Sequence, residues 1–283
     1  EVTATYTPNV TKVTPTSTPA TSSGPQGVPQ TGTPVFKEGD PAVPIDMTKQ
    51  MTFDDGQPKK TVAGVGEYTI NSDGSITFTP DKKYVGTPAA VTVKRVDENG
   101  TEVRATYTPT VTEVTPRSTN AVSSGLQGQP QSGKPTFTPG DKAVPIDMSQ
   151  PMTFEDNQTT KKVDKVGTYV IESDGTITFT PDKQYVGTPS PVTVKRVDTN
   201  GTEVTATYTP TVTRVTPTST NAESTGLQGQ PQSGKPTFSP GDQQIPIDMS
   251  KAMTFENGTN TLEVANEGTY TINSDDTITF KPL

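Results

Sequence analysis

The chain has no cysteine, no histidine and no tryptophan among its 283 residues. Without Cys or His there is no thiol nucleophile, no zinc or transition-metal site of the usual kind and no Ser-His-Asp relay. Nor is there any side chain whose ordinary titration falls near neutral pH. Most enzyme classes are thereby excluded, and no catalytic, cofactor-binding or metal-binding residue is expected. Apolar residues are also scarce, at 28% against a usual share of about 45–50%. No apolar run approaches the ~18 residues of a membrane span. Positive charge is in deficit, with a net charge of −8 and a pI near 4.7, which argues against nucleic acid and anionic membranes as partners. No segment carries a 3.6-residue apolar stripe free of Pro or Gly, so no helix is expected. Glu1 opens in mid-pattern without a signal peptide, as an interior segment of a longer chain would.

What the chain does have is repetition. Tyr6, Tyr107 and Tyr208 stand in the same Ala-Thr-Tyr-Thr-Pro context, 101 residues apart (107 − 6 and 208 − 107). The same interval separates Phe36, Phe137 and Phe238, then Phe53, Phe154 and Phe255, then Tyr68, Tyr169 and Tyr270, and lastly Phe78, Phe179 and Phe280. A period of this length is too long for a solenoid unit of roughly 20–50 residues and fits a small independent domain. The 28 prolines and 24 glycines read as disorder in bulk, but the few apolar residues recur in phase. That suits small sandwiches whose strands bury one face and wet the other. Threonine is abundant, and its β-branched hydroxyl suits the wet face.

Within one copy the clearest element is Gly66 to Pro80. Tyr68 and Ile70 alternate with polar residues, Asn71-Ser72-Asp73-Gly74 supplies a turn, and Ile76 and Phe78 resume the alternation, predicting a β-hairpin. In the third copy Asp276 replaces the turn glycine, a residue that tolerates the left-handed conformation. A second hairpin is predicted over Val91 to Val111 around Asn99-Gly100, with a bulge near Lys94 and Arg95 to account for the broken alternation at Val96. Tyr84 to Pro88 reads as a corner whose Tyr84 and Val85 enter the core. Met51 to Phe53 and Val62 to Val65 read as short strands. The Thr/Ser/Pro/Gly/Gln-rich segment Thr14 to Pro34, with its recurrent Gln26-Gly27, Gln127-Gly128 and Gln228-Gly229, reads as an extended linker.

These elements predict an all-β chain: a tandem array of three Ig-like β-sandwich repeats forming an extended rod. The limits are 15–115 and 116–216 for two complete repeats and 217–283 for a third. Residues 1–14 are the final strand of a preceding repeat. The third copy ends at Leu283, the equivalent of Asp81, and so carries no counterpart of Tyr84 to Val103.

The motifs are specific enough to name a family. They are Ala105-Thr106-Tyr107-Thr108-Pro109, Val111-Thr112-Glu113-Val114-Thr115-Pro116, Gly125-Leu126-Gln127-Gly128 and Pro145-Ile146-Asp147-Met148. Further along come Gly167-Thr168-Tyr169, Phe179-Thr180-Pro181, Tyr185-Val186-Gly187-Thr188-Pro189 and the run Val192 to Asp198. The chain resembles the CshA-type fibril repeat of streptococcal and related Gram-positive surface adhesins over essentially its whole length. The resemblance implies the stalk of an extracellular, cell-wall-anchored fibril that projects a separate, non-repetitive ligand-binding region. Its partners would be neighbouring repeats and, indirectly through that region, host extracellular matrix or other bacteria. No wall-anchor motif is present in this sequence.

Elementary physics leads the same way, because near-identical domains in tandem build length directly. Three units of about 35 Å would span on the order of 100 Å. The alternative from another class is that the repeats are themselves weak multivalent binding modules for matrix protein, glycan or partner bacteria. Four local features invite other readings. The acidic turns Asp54-Asp55-Gly56, Asp73-Gly74 and Asp97-Glu98-Asn99-Gly100 offer oxygen ligands to calcium, although turn chemistry alone explains them. Lys94 and Lys195 beside Asp and Asn suggest an isopeptide crosslink, against an ordinary surface ion pair. The Thr106 to Thr112 strand suggests an ice-binding array or O-glycosylation, against a wet strand face. Glu155 and Asp156 resemble catalytic carboxylates only in being acidic, and the recurrent aromatics are expected to be core.

Overall fold

A computed structural model describes all residues 1–283. Repeat 1 begins with a short ribbon in which β1 (Thr16–Thr18) pairs antiparallel with β4 (Val35–Lys37). Between them run β2 (Ala20–Pro25) and β3 (Gln30–Gly32). There follow β5 (Thr52–Phe53), β6 (Lys59–Val62), β7 (Gly66–Ile70), β8 (Ile76–Pro80), β9 (Val91–Val96) and β10 (Glu102–Thr112). One sheet has the order β2-β10-β9-β5 and the other β3-β8-β7-β6. There is no helix. The apolar faces of the two sheets meet: Phe53, Val93, Ala105 and Tyr107 from the first close on Tyr68, Ile76 and Phe78 from the second.

Both predicted hairpins form. In β7 and β8, Tyr68 lies opposite Phe78 and the rings stack at 4.6 Å, while Tyr107 meets Tyr68 edge-on at 6.1 Å. All three rings are fully buried. Each contributes about 1.5–3 kcal/mol by leaving water, and they stand at the centre of an eleven-residue core. Strand β10 alternates without a break, with Val103, Ala105, Tyr107, Pro109 and Val111 inward and its threonines on the outer face. Repeat 2 reproduces the arrangement, with Tyr169, Phe179 and Tyr208 in the same roles and an eleven-residue core. Asp276 in repeat 3 adopts φ 65°, and its amide donates to the Asn273 carbonyl at 3.0 Å, so the turn survives the loss of glycine.

Four expectations are corrected. The short strand read at Val62 to Val65 ends at Val62, as β6, and residues 63–65 make the turn into β7, closed by the Val65 amide donating to the Val62 carbonyl at 3.0 Å. Thr14 to Pro34 is not a linker: it supplies β1, β2 and β3, and β2 runs parallel to β10 in continuous register from Ala20 opposite Tyr107 to Pro25 opposite Thr112. Its polar composition misleads because side-chain hydrogen bonds take the place of apolar packing. There is no bulge at Lys94 and Arg95, for β9 pairs residue by residue with β10 from Val91 to Val96. Val96 breaks the alternation because it stays half-buried on the outer face, its carbonyl accepting the Asp46 amide at 2.9 Å. Val85 points to solvent, whereas Tyr84 packs on the core. The chain turns here at Gly86 (φ 118°), which is bridged to Val111.

Residues 1–15 form no strand in this structure, and Tyr6 and Val10 are exposed. Repeat 3 builds one complete sheet from Gln232–Gly234, Ile278–Pro282, Gly268–Ile272 and Thr261–Val264.

Candidate functional site

The acidic turns are occupied by their own backbone. Asp73 Oδ1 accepts the Ser75 amide at 2.9 Å and its hydroxyl at 2.6 Å, and these bonds hold the carboxyl below its ordinary pKa. Asp55 Oδ1 accepts the Gln57 amide at 3.0 Å. Asp97 and its counterpart Asp198 are buried, and each Oδ1 takes two amides of its turn, those of Asn99 and Thr101 and those of Asn200 and Thr202. These are side-chain turns that fix the chain between β9 and β10 and between the matching strands of repeat 2. Nowhere do three acidic side chains converge.

Lys94 lies 3.8 Å from Glu102, and Lys195 lies 4.0 Å from Glu203, in cross-strand ion pairs at the surface. Glu155 and Asp156 sit apart on an exposed turn, where Asp156 caps Gln158. The threonines from Thr106 to Thr112 line the outer face of β10, and one of them, Thr110, shares a hydrogen bond of 2.9 Å with Thr87. In repeats 1 and 2 the recurrent aromatics Tyr68, Phe78, Tyr107, Tyr169, Phe179 and Tyr208 are core. Burial pushes the Tyr68 and Tyr169 hydroxyls up to about 12, as expected of phenols held away from water.

Two sets of polar residues in the Thr14 to Pro34 segment are structural. Ser22 Oγ donates to Gln30 Oε1 at 2.5 Å and contacts the Tyr107 hydroxyl at 2.5 Å, while Gln30 Nε2 donates to the Thr110 carbonyl at 3.1 Å. This network seals β2 onto β10, and repeat 2 repeats it with Ser123, Gln131 and Tyr208. Gln26, only 5% exposed, ties the repeat to the chain leaving it. Its Nε2 donates to the Lys82 carbonyl at 2.8 Å, and its Oε1 accepts the Val114 amide at 3.2 Å. Both carry a signal in the sequence, for Gln26 and Gln30 recur at the 101-residue period as faithfully as the aromatics.

The junction between repeats 1 and 2 is the most built of the interfaces. Asn200, in the Asn-Gly turn of repeat 2, donates from Nδ2 to the Gln26 carbonyl of repeat 1 at 2.9 Å. Its Oδ1 sits against Gly27, where a Cβ would come within 1.9 Å. Across the same junction Lys82 adds to the lowering of the Asp147 carboxyl, which is held down chiefly by Ser149. Repeat 3 contains two openings, a cavity of about 310 Å³ bounded by Ser224, Gln232, Tyr270 and Phe280 and a wider groove along Ile247 to Met253. The first opens on the uncovered face of its sheet, and the second is lined mostly by loop residues beside it.

Taken together the chain is a tandem array of Ig-like β-sandwich units whose polar side chains are spent on turns and junctions. A sequence model of the family described as the surface adhesin CshA repetitive domain matches it three times, at residues 12–111, 113–212 and 214–283. The chain belongs to this family of adhesin repeats. Among solved structures, repeat domain 13 of the fibrillar adhesin CshA from Streptococcus gordonii is 63% identical, with 25% of this chain and 90% of that one covered and a TM-score of 0.16. Weaker likenesses include cadherin domains 1–4 of protocadherin gamma B7 (10% identity, 96% and 68% covered, TM-score 0.34). The I9–I11 tandem of titin is another (11% identity, 96% and 88% covered, TM-score 0.30). A search of curated proteins finds no match.

Proposed function

We propose that these repeats are stalk units of a bacterial surface fibril, holding a separate ligand-binding region away from the cell wall to which the fibril is anchored. The folding units are taken as 15–115, 116–216 and 217–283, with residues 1–14 carrying the sequence of a closing strand. The observation that carries the proposal is the use made of the repetition. Among the residues that recur at the 101-residue period, the aromatics and the glutamines go into cores, strand seals and the exit of each complete unit, so what is repeated includes a folding unit and its joint. Such units add length without adding chemistry, and their role is structural, not enzymatic. A chain free of cysteine needs no oxidation to fold outside the cell, and a net charge of −8 keeps neighbouring fibrils soluble and apart.

The test is adhesion and shape measured on the same protein. The 283-residue chain should give small-angle scattering from an elongated particle with a single-domain cross-section. Beads coated with it should not adhere to host matrix proteins or partner bacteria. A globular particle, or beads that adhere as strongly as the intact fibril, would overturn the stalk reading. The second result would make the repeats themselves the binding modules.

A further inference from the structure

We propose that the Asn-Gly turn between the last two strands of a repeat is a lock that docks into the Gln-Gly turn of the repeat before it and fixes the angle between them. The contact is formed once in this chain, by Asn200 of repeat 2 on Gln26-Gly27 of repeat 1. The two complete repeats allow a like-for-like comparison, because Asn99 occupies the same turn of repeat 1 with no repeat docked against it. Asn99 is exposed, whereas Asn200 is 5% exposed. Asn99 makes no side-chain hydrogen bond, while Asn200 spends its amide on the Gln26 carbonyl at 2.9 Å. The turn does not need that amide. In both copies its geometry is held by the buried aspartate and by a glycine at φ 80° or 77°, with the asparagine contributing only its backbone.

The receiving side is equally specific. Gly27, Gly128 and Gly229 share a left-handed φ of 73–75°, which already favours glycine. Only Gly27 adds a close approach, for a Cβ there would overlap Asn200, and nothing lies within 4 Å of the Cβ position at Gly128 or Gly229. The surrounding apolar residues close with it. Val144 is 1% exposed in repeat 2, but its counterpart Val43, against which no repeat is docked in this structure, is half-buried. Val114 in the connection is buried and Val215 in the next connection is not.

A covalent connection alone leaves two bodies free to swing, and a second fixed point removes most of that freedom. Gln26 supplies the first point by gripping the exit strand through the Val114 amide, and Gln127 does the same through Val215 at 3.2 Å. Asn200 supplies the second point at junction 1–2. At junction 2–3 the 283 residues include no position equivalent to Asn200, and the contacts that remain are the grip of Gln127 and the influence of Lys183 on the Asp248 carboxyl, which Ser250 chiefly holds down.

The absence of native cysteine makes the test direct. Thr79, Thr180 and Lys281 are exposed and stand at equivalent strand positions of the three repeats. Spin labels on Thr79→Cys with Thr180→Cys report junction 1–2, and labels on Thr180→Cys with Lys281→Cys report junction 2–3, by pulsed dipolar distance measurement on the full chain. The distribution across junction 1–2 should be at least twofold narrower than that across junction 2–3. Asn200→Ala should broaden it to match, and Asn99→Ala should leave it unchanged. Gly27→Ala should broaden it while Gly128→Ala, which carries the same backbone strain without the overlap, should not. An unchanged width in Asn200→Ala, or equal broadening by Asn99→Ala, would overturn the lock. Neither result touches the adhesion test of the stalk, which would hold or fail on its own.

Discussion

Repeats 2 and 3 align without a gap as far as Asp182 and Leu283, with about two thirds of the positions identical, and their interiors differ. In repeat 2, Phe154, Tyr169, Ile177 and Phe179 are completely buried; in repeat 3 their counterparts Phe255, Tyr270, Ile278 and Phe280 are only half-buried. The backbone of one sheet is the same in both, and Tyr270 still stacks on Phe280 at 4.4 Å as Tyr169 does on Phe179 at 4.5 Å. Residues 217–283 include no hairpin equivalent to Val192–Val197 and Glu203–Thr213, and two further strands do not form without it. Ala121–Leu126 and Thr153–Phe154 are strands in repeat 2 because they pair with that hairpin. Residues 222–227 and 254–255 of repeat 3 are not strands. The last hairpin is therefore the centre of its sheet and the lid of the core. A sheet can complete its hydrogen bonds alone, but its apolar face remains wet until a second layer covers it.

Tyr208 is the residue that does most of the covering. Its ring lies 2.4 Å from where a Cβ on Gly133 would stand, whereas the nearest atom to a Cβ on Gly234 is Ala222 Cβ at 3.3 Å. The cavity of about 310 Å³ in repeat 3 is lined by Ser224, Gln232 and Gly234, the counterparts of residues that surround the Tyr208 ring in repeat 2. The sharpest way to break the comparison is Tyr208→Ala, which should give repeat 2 the interior of repeat 3. We expect a loss of about 3–5 kcal/mol, read from native-state hydrogen exchange at the amides of Gly167–Ile171 and Ile177–Pro181. The same amides in repeat 1 should keep their protection. Tyr208→Phe, which keeps the ring and gives up the bond to Ser123, should cost only about 1 kcal/mol. If the two substitutions cost the same, the hydroxyl network and not the ring closes the core.

How much of this was legible in the sequence follows from the range of the interactions. The hairpin at Gly66–Pro80 could be read because its turn residues, alternation and partner all lie within fifteen positions. The core aromatics could be read because nothing else in the chain is large enough to be the core. Strand β2 could not, since Ala20 to Pro25 has the composition of a linker and its partner lies more than 80 residues away. It becomes a strand through Ser22 and Gln30, polar side chains whose targets only the fold supplies. The lock is further from sight. Asn99 and Asn200 stand in turns of the same design, and what separates them in this structure is the contact of Asn200 with Gln26.

A smaller substitution sharpens the comparison from the other side. Gly133→Ala forces the methyl into the Tyr208 ring and should cost about 1–3 kcal/mol, as overpacking of a filled core does. Gly234→Ala meets a methyl group that can yield by a few tenths of an ångström, and should lie within about 0.5 kcal/mol of the parent. Hydrogen exchange in the two repeats, measured in one sample of each variant, gives the difference directly. Equal costs would mean that Gly133 is kept for its backbone, and the fit of ring to glycine would then have no part in the difference between the repeats.

The smallest effect concerns the turn between the paired strands, where the two repeats differ at two residues, Glu172 against Asn273 and Gly175 against Asp276. Gly175 has φ 86° and Asp276 has φ 65°, and the amide of each donates to the residue three before it at 3.0 Å. Two terms oppose one another here. An aspartate held left-handed is strained by up to about 1 kcal/mol, the low end for a residue that visits this region readily. A glycine loses about 0.4–1 kcal/mol more backbone entropy on folding. They nearly cancel, so Asp276→Gly and Gly175→Asp should each move local stability by less than about 0.5 kcal/mol, in opposite senses, by the same exchange measurement. Gly175→Val separates the terms, because a β-branched side chain gains the entropy and cannot relieve the strain. It should cost more than 1 kcal/mol, and a neutral result would show that the turn had abandoned its left-handed position.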